Sequence, residues 1–470
     1  MPKTKIIATL GPASANEATI LSLIKAGVDV FRINFSHGDF EQHHDTLTLV
    51  NEARKKSGRI VAVMGDLCGP KIRTGAIDDD RILEPGDMVT IEPGTDQCSS
   101  LHFGTNYPDL SRDLEVGHRV FIDDGTIALR VIKQQDHQSV CQVILGGCIR
   151  SHKGINLPDT VVSTPSITEK DWQCAQWAVD HDLDFLALSF VRSAQDILEL
   201  KAFLNTSQSP IRIVAKLETP AAIEQYQPII LASDVTLIAR GDLGVEMDPA
   251  QVPLVQKDIA RFCRAHGKPV IVATHMLQSM ISSPTATRAE VSDLANAIMD
   301  YTDAVMLSGE TAIGKYPLRA IKIINDTAET TETYLDSTDT VHPKGTFSEE
   351  TVLSATIASC VAQIVDDIQS PLVAVWSQGG LSAQLLGKTR IDVPILALSS
   401  DMKVCRQMCL NYGVIPNYQE TTPTIDQFTH LVDQLAQKLE LARKGDTIVL
   451  VTGRQLGDQA TTNAIVVHAV

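Results

Sequence analysis

At 470 residues the chain is too long for one ordinary core, so about two to four domains are expected, and its 44% apolar content is that of a globular protein. A formal net charge of −17 argues against nucleic acid as a partner, and no apolar run approaches the ~18 residues that a membrane span needs. Nine scattered cysteines without a CxxC pair point away from disulfides and zinc and towards a reducing cytoplasm.

The N-terminal stretch MPKTKIIATLGPAS reads as a strand and not as a signal peptide. Short β-branched runs then alternate with longer amphipathic stretches, the pattern of β/α units on a parallel sheet. Strands are expected at Lys5–Thr9, Val28–Asn34, Ile60–Asp66, Asp184–Phe190, Ile211–Glu218, Asp234–Arg240, Pro269–Thr274 and Asp303–Ser308. Helices are expected near 16–26, 40–56, 193–204, 219–231, 251–265, 286–299 and 317–334. About eight such units is the count of a (β/α)8 barrel.

Between the third and fourth strands, residues 70–158 lack a helical period and are rich in Gly, Pro, Asp and β-branched residues. They read as a small β domain inserted in a βα loop and placed to act as a lid, because barrel active sites sit on those loops. The barrel domain is thus expected over 1–69 and 159–340. The stretch 337–348 has linker composition. Over 345–470 the alternation restarts, with strands at Leu372–Trp376, Ile395–Leu398, Thr447–Val451 and Ala464–His468 and helices near 349–367, 380–388, 402–411 and 424–442. This reads as a separate open α/β domain.

Residues two apart on a strand share a face. Arg32 and Asn34 therefore point into the barrel mouth while Phe31, Ile33 and Phe35 face helices. The same alternation sets Lys216 beside Glu218 on strand five, and lines up Ile238, Arg240 and Asp242 on strand six. Asp66, Thr274 and Ser308 close strands three, seven and eight. Any one of these could be an ordinary strand-end ion pair; gathered on one rim they suit an active site. Glu218 and Asp242 offer hard oxygen ligands for Mg2+ or Mn2+. Lys216 adds a point charge and Arg32 a planar fork, both suited to a phosphate. Such a set is the electrostatic apparatus of phosphoryl transfer. Gly241 and Gly244 beside Asp242 would let the backbone approach a carboxylate. No Walker A or GxGxxG segment is present, so a nucleotide needs another arrangement. Arg73 and Lys153, near the two lid hinges, either reach a diphosphate or are solvated surface charges.

The segments TKIIATLGPAS (4–14), FRINFSHG (31–38), GPKIRTG (69–75), DDG (123–125), KGINLP (153–158), AKLET (215–219), ARGDLGVE (239–246) and the run 287–317 resemble the pyruvate kinase family, in order and along the whole chain. The resemblance implies a catalytic barrel, a lid and a C-terminal regulatory domain. It implies transfer of phosphate from phosphoenolpyruvate to ADP, giving pyruvate and ATP. Lys216 becomes the stabiliser of the transferring phosphoryl group, and Glu218 and Asp242 the divalent-metal ligands. Arg32, Gly241, Asp242 and Thr274 become substrate contacts, with protonation from the Thr274 side. Asn34, His37, Arg73 and Lys153 fall on the ATP/ADP side, and a cytoplasmic homotetramer is implied.

The monovalent-cation (K+) region implied is Asn34, Ser36, Asp66 and Leu67. Here Lys71 replaces the acidic residue usual beside it, as in the K+-independent branch, and its ammonium could fill the role of the ion. Thr74 matches the K+-dependent type, so K+ stays open. His275 and Ala286 depart from the usual pattern without removing a ligand. In the C-terminal domain, the loop of Ser377, Gly379, Gly380 and Ser382 opens a helix, as a phosphorylated effector (a sugar phosphate or nucleotide) requires, or forms a plain turn. A metal-dependent aldolase or lyase acting on pyruvate or phosphoenolpyruvate, and a non-catalytic phosphometabolite sensor, are the rival readings.

Overall fold

The computed structural model describes residues 2–338, 351–420, 424–453 and 462–470. The expected linker lies, from residue 339 on, outside the described residues. Eight parallel strands close into a barrel: Lys5–Thr9, Val30–Asn34, Ala62–Asp66, Phe185–Leu188, Arg212–Leu217, Val235–Ala239, Val270–Ala273 and Ala304–Leu307. The first pairs with both the second and the last. Period-two alternation sorts two apolar sets. Ile7, Val30, Met64, Ala187, Val214 and Leu237 fill the barrel, while Phe31, Ile33, Val63, Leu186, Ile213 and Ile238 pack under the helices.

The strands begin later than the apolar runs suggest, and Asp side chains explain four of those starts. Asp29, Asp184, Asp234 and Asp303 each precede an even-numbered strand. Each carboxylate accepts an N–H from the strand before it, from Ile6 (2.9 Å), Val63 (2.8 Å), Ile213 (2.8 Å) and Val270 (2.7 Å). Each Asp backbone N–H returns a bond to the carbonyl of that same residue. The lower rim of the barrel is therefore tied by a motif repeated at every second strand.

Helices open on capping boxes, as at Asp39 with Gln42, Thr168 with Asp171 and Thr287 with Glu290. The helix expected over 219–231 is two, Pro220–Glu224 and Tyr226–Ala232. Pro228 has no N–H to offer the Glu224 carbonyl, so the ladder breaks and restarts. Strand six also differs from expectation. It stops at Ala239, and Arg240–Glu246 forms a short helix. Ile238 faces the outer helices, so Asp242 reaches the barrel mouth from that helix and not by strand alternation.

The inserted segment forms a seven-stranded, largely antiparallel sheet in the order Ile155–Asn156, Arg119–Ile122, Ile127–Gln135, Gln138–Leu145, Met88–Ile91, His102–Phe103, Cys98–Ser99. Val89, Phe103, Val120 and Leu129 belong to its own apolar core. The helix Glu169–Asp180 follows the insert and was not expected. Its buried Asp171 accepts the Cys68 and Gly69 amides at 2.9 and 3.2 Å, anchoring the root of the lid.

The C-terminal sheet runs Val414–Tyr418, Ile395–Ser399, Val373–Trp376, Thr447–Thr452, Ala464–Ala469, the last strand antiparallel. Val414–Tyr418 was missed because Pro416 interrupts it, which an edge strand tolerates. Arg406 reaches Asp184 at 2.6 Å, and Lys388 and Arg390 both meet Asp303, so this sheet's helices dock on the lower rim of the barrel. Among the described residues no helix is long and apolar enough to cross a membrane.

Candidate active site

The C-terminal ends of the barrel strands enclose a cavity of about 160 Å³. Arg32, Asn34, Ser36 and His37 line it from strand two and its loop, Asp66 and Leu67 from strand three, and Lys71 and Arg73 from the root of the lid. Lys216, Glu218, Asp242 and Thr274 complete the opposite wall, with Ser308 at the end of strand eight. The mouth thus gathers most of the site residues expected from sequence.

Its centre is an ion network. Lys216 Nζ lies 2.9 Å from Glu218 Oε1 and 3.3 Å from Asp66 Oδ1, and donates to Ser189 Oγ at 2.7 Å. Arg32 Nε donates to the other Asp66 oxygen at 2.6 Å, and its Nη1 to Thr9 Oγ1 at 3.0 Å. Burial alone would lower the Lys216 pKa, but Asp66 and Glu218 outweigh it and hold the ammonium well above the ordinary range. Burial likewise pushes Asp66 upward, yet Lys216 and Arg32 bring it below the usual carboxylate value. Glu218 goes the other way, raised by burial and by Asp242 against the pull of Lys216. Two carboxylates that repel one another across a polar cavity are a donor set that a hard divalent cation would relieve. Among the described residues no third Asp, Glu, His or Cys joins them, which would leave coordination positions to water and substrate oxygens.

Gly241 supports this wall. Its N–H donates to Thr274 Oγ1 at 2.6 Å, and a Cβ there would lie 3.2 Å from that oxygen and 3.3 Å from His275 Cε1. Thr274 holds φ +67, a strained setting for a β-branched residue, and its hydroxyl donates to the Ala273 carbonyl at 2.6 Å. At the far end of the same short helix, Glu246 Oε1 accepts from Asn156 Nδ2 of the lid at 2.7 Å. Burial pushes this carboxyl up to about 7, with Asp242 adding to the effect.

Lys153 lies outside the cavity lining and pairs with Asp123 of the lid at 2.9 Å. Arg73 lines the cavity, and its Nη1 donates at 3.1 Å to the carbonyl of His152, the residue before Lys153. The Ser377–Ser382 loop belongs to the C-terminal sheet, far from the mouth. Gly380 opens the helix Leu381–Thr389 at φ +84, Ser377 Oγ accepts from Ala383 N at 3.3 Å, and Ser382 bonds Thr462. The Gly379 carbonyl accepts from Arg212 Nη2 at 3.0 Å, which links this loop to the first residue of the strand that carries Lys216.

Sequence reasoning missed Thr9, Ser189 and Phe190. Alternation alone could have found the first two, since Ile7 and Ala187 point inward and Thr9 and Ser189 lie two residues on. Phe190 gave no such signal, because it acts through its backbone: its N–H donates to Glu218 Oε2 at 2.8 Å.

Comparison with known proteins agrees along the whole chain. Family models described as pyruvate kinase, barrel domain and pyruvate kinase, alpha/beta domain match residues 1–321 and 355–468. The pyruvate kinase of Staphylococcus saprophyticus is 38% identical over 474 residues, covering 100% of this chain and 81% of that protein. That of Thermococcus litoralis is 37% identical over 478 residues, covering 98% of each. The crystal structure of a pyruvate kinase from Cryptosporidium parvum superposes with a TM-score of 0.91 at 31% identity, covering 100% of this chain and 96% of that one. On the strength of its rim chemistry, its three folded units and these matches, the chain belongs to the pyruvate kinase family.

Proposed function

We propose that this enzyme transfers the phosphoryl group of phosphoenolpyruvate to ADP through the residues gathered at the barrel mouth. The observation that carries the assignment is the Lys216 ammonium, held charged between Asp66 and Glu218 at the floor of a polar cavity. Positioning and charge stabilisation supply most of the rate in phosphoryl transfer. Lys216 faces the transferring group and offsets its developing negative charge, and Arg32, braced by Asp66 and Thr9, presents its fork to the phosphate. Gly241, Asp242 and Thr274 hold the carboxylate side of the substrate, and the proton reaches the enolate from the Thr274 side. Asn34, His37, Arg73 and Lys153 form the nucleotide side.

The family requires a divalent metal, and Glu218 and Asp242 fit Mg2+ or Mn2+. When bound, such an ion neutralises charge on substrate oxygens and orients them. Lys71 lines the same cavity as Asn34, Ser36, Asp66 and Leu67, so its ammonium takes the place of a monovalent cation. The Ser377–Ser382 loop takes a phosphorylated effector, whose binding reaches strand five through Arg212. The enzyme works in the cytoplasm as a homotetramer.

One coupled assay tests the reading. Pyruvate should form from phosphoenolpyruvate, ADP and Mg2+, at a rate changed less than about twofold by KCl, and a member of a panel of sugar phosphates and nucleotides should activate the enzyme and make the phosphoenolpyruvate curve less sigmoidal. No pyruvate would refute the transfer. A large saturable rise with KCl would refute the role of Lys71, and a panel without effect would remove the effector loop.

A further inference from the structure

The chain turns sharply after barrel strand four, at Ser189 and Phe190, and both residues reach across to strand five. Lys216 shares Asp66 with Arg32 and shares Glu218 with the proposed metal site, so only its bond to Ser189 Oγ is dedicated. That hydroxyl is itself aimed. Its proton goes to the Leu67 carbonyl at 2.7 Å, the shorter of two acceptors, the other being Asp66 Oδ1 at 3.3 Å, which leaves a lone pair for the ammonium. Leu67 is the last residue but one before the glycine at the root of the lid. The next residue of the corner, Phe190, holds φ +52, an unusual setting for a bulky aromatic, and this conformation turns its N–H onto Glu218 Oε2. The corner also excludes a side chain from the lid root, because a Cβ on Gly69 would lie 2.7 Å from Phe190 Cδ2 and 3.2 Å from Ser189 Cβ.

We propose that Ser189 is a positioning residue for phosphoryl transfer. Its hydroxyl sets the Lys216 ammonium in register with the root of the lid, while the adjoining Phe190 amide sets Glu218 independently. The two bonds divide the work: one orients the positive group that meets the transferring phosphoryl, the other orients a metal ligand. Removing the hydroxyl should therefore weaken the chemical step and spare the metal.

This inference rests on the phosphoryl-transfer reading, and the test separates the two. Ser189→Ala in the full-length enzyme is one atom smaller and fits the same space; Ser189→Cys keeps the volume with a poor acceptor and serves as the second variant. Both should lower kcat by about 10- to 100-fold, the size of effect that loss of an orienting bond to a charged group produces. The KM for phosphoenolpyruvate, and the Kd for Mn2+ read by electron paramagnetic resonance without substrate, should stay within about threefold of the parent. Unchanged kcat in a folded variant would overturn the proposal. So would a fall in kcat matched by equal losses in KM and Mn2+ affinity, which is the mark of general collapse. A parent enzyme that forms no pyruvate would instead refute the transfer itself.

Discussion

The two rims of the barrel use the same residue types to opposite ends. At the lower rim the buried carboxylates Asp184 and Asp303 are saturated. Asp184 accepts Val63 N–H and meets Arg54 at 3.2 Å and Arg406 at 2.6 Å, while Asp303 accepts Val270 N–H and holds both Lys388 and Arg390. At the upper rim the buried charges are shared. Lys216 is divided between Asp66 and Glu218, and Asp242 faces the cavity without a cation of its own among the ion pairs of the described residues. Saturated buried pairs lock geometry, whereas carboxylates left incompletely paired beside a cavity are placed to meet a cation. Docking and chemistry are thus told apart by how completely each carboxylate is paired, not by which residues are present.

Breaking each rim should give opposite signatures. Lys216→Met should reduce turnover at least about 10³-fold in protein that stays folded, because the charge that meets the transferring group is gone while Asp66 keeps Arg32 and Glu218 keeps the Phe190 N–H. A coupled pyruvate assay beside calorimetry checks both halves. Asp303→Ala should do the reverse, costing about 3–5 kcal/mol of unfolding free energy by leaving Lys388 and Arg390 buried without a counter-charge. Burial already lowers the Lys388 pKa against the pull of Asp303, so removing Asp303 drives that group towards neutrality. Denaturant titration measures the loss, and kcat of the folded fraction should change by less than about threefold.

The boundary between rim and lid can be probed by pH. Glu246 titrates near 7 when folded and at its ordinary value of 4.5 when unfolded. Between those values the unfolded chain ionises while the folded one keeps its proton, so stability falls as pH rises through this window and levels off above it. Glu246→Gln keeps the bond to Asn156 and removes the titration. The variant should gain on the parent as pH rises from 4.5 to 7, by up to about 3 kcal/mol, read as a pH-dependent gap in unfolding midpoints. A constant gap would place Glu246 in an exposed, ordinary setting.

Much of the upper rim was legible from alternation because a strand's two faces follow from stereochemistry alone. Arg32, Asn34, Lys216 and Glu218 all point where a count of two puts them. The count failed at Asp242 because strand six ends one residue earlier than its apolar run suggests and a helix takes over at Arg240. It also ran past Asp184, Asp234 and Asp303, which read as strand starts but cap the neighbouring strand. No local rule distinguishes those two roles, since the acceptor's partner lies dozens of residues away.

By itself, then, the sequence determined the repeating β/α order, the inserted β segment, the residue types at each strand end and the family they mark. Only the tertiary structure decided which carboxylates are saturated and which are shared, that Ser189 and the Phe190 amide divide Lys216 and Glu218 between them, and that Arg212 ties the C-terminal loop to strand five. The reason is closure: once the barrel curls shut, residues far apart in the chain share one buried space, and their charges and hydrogen bonds are then set by neighbours that the linear order does not name.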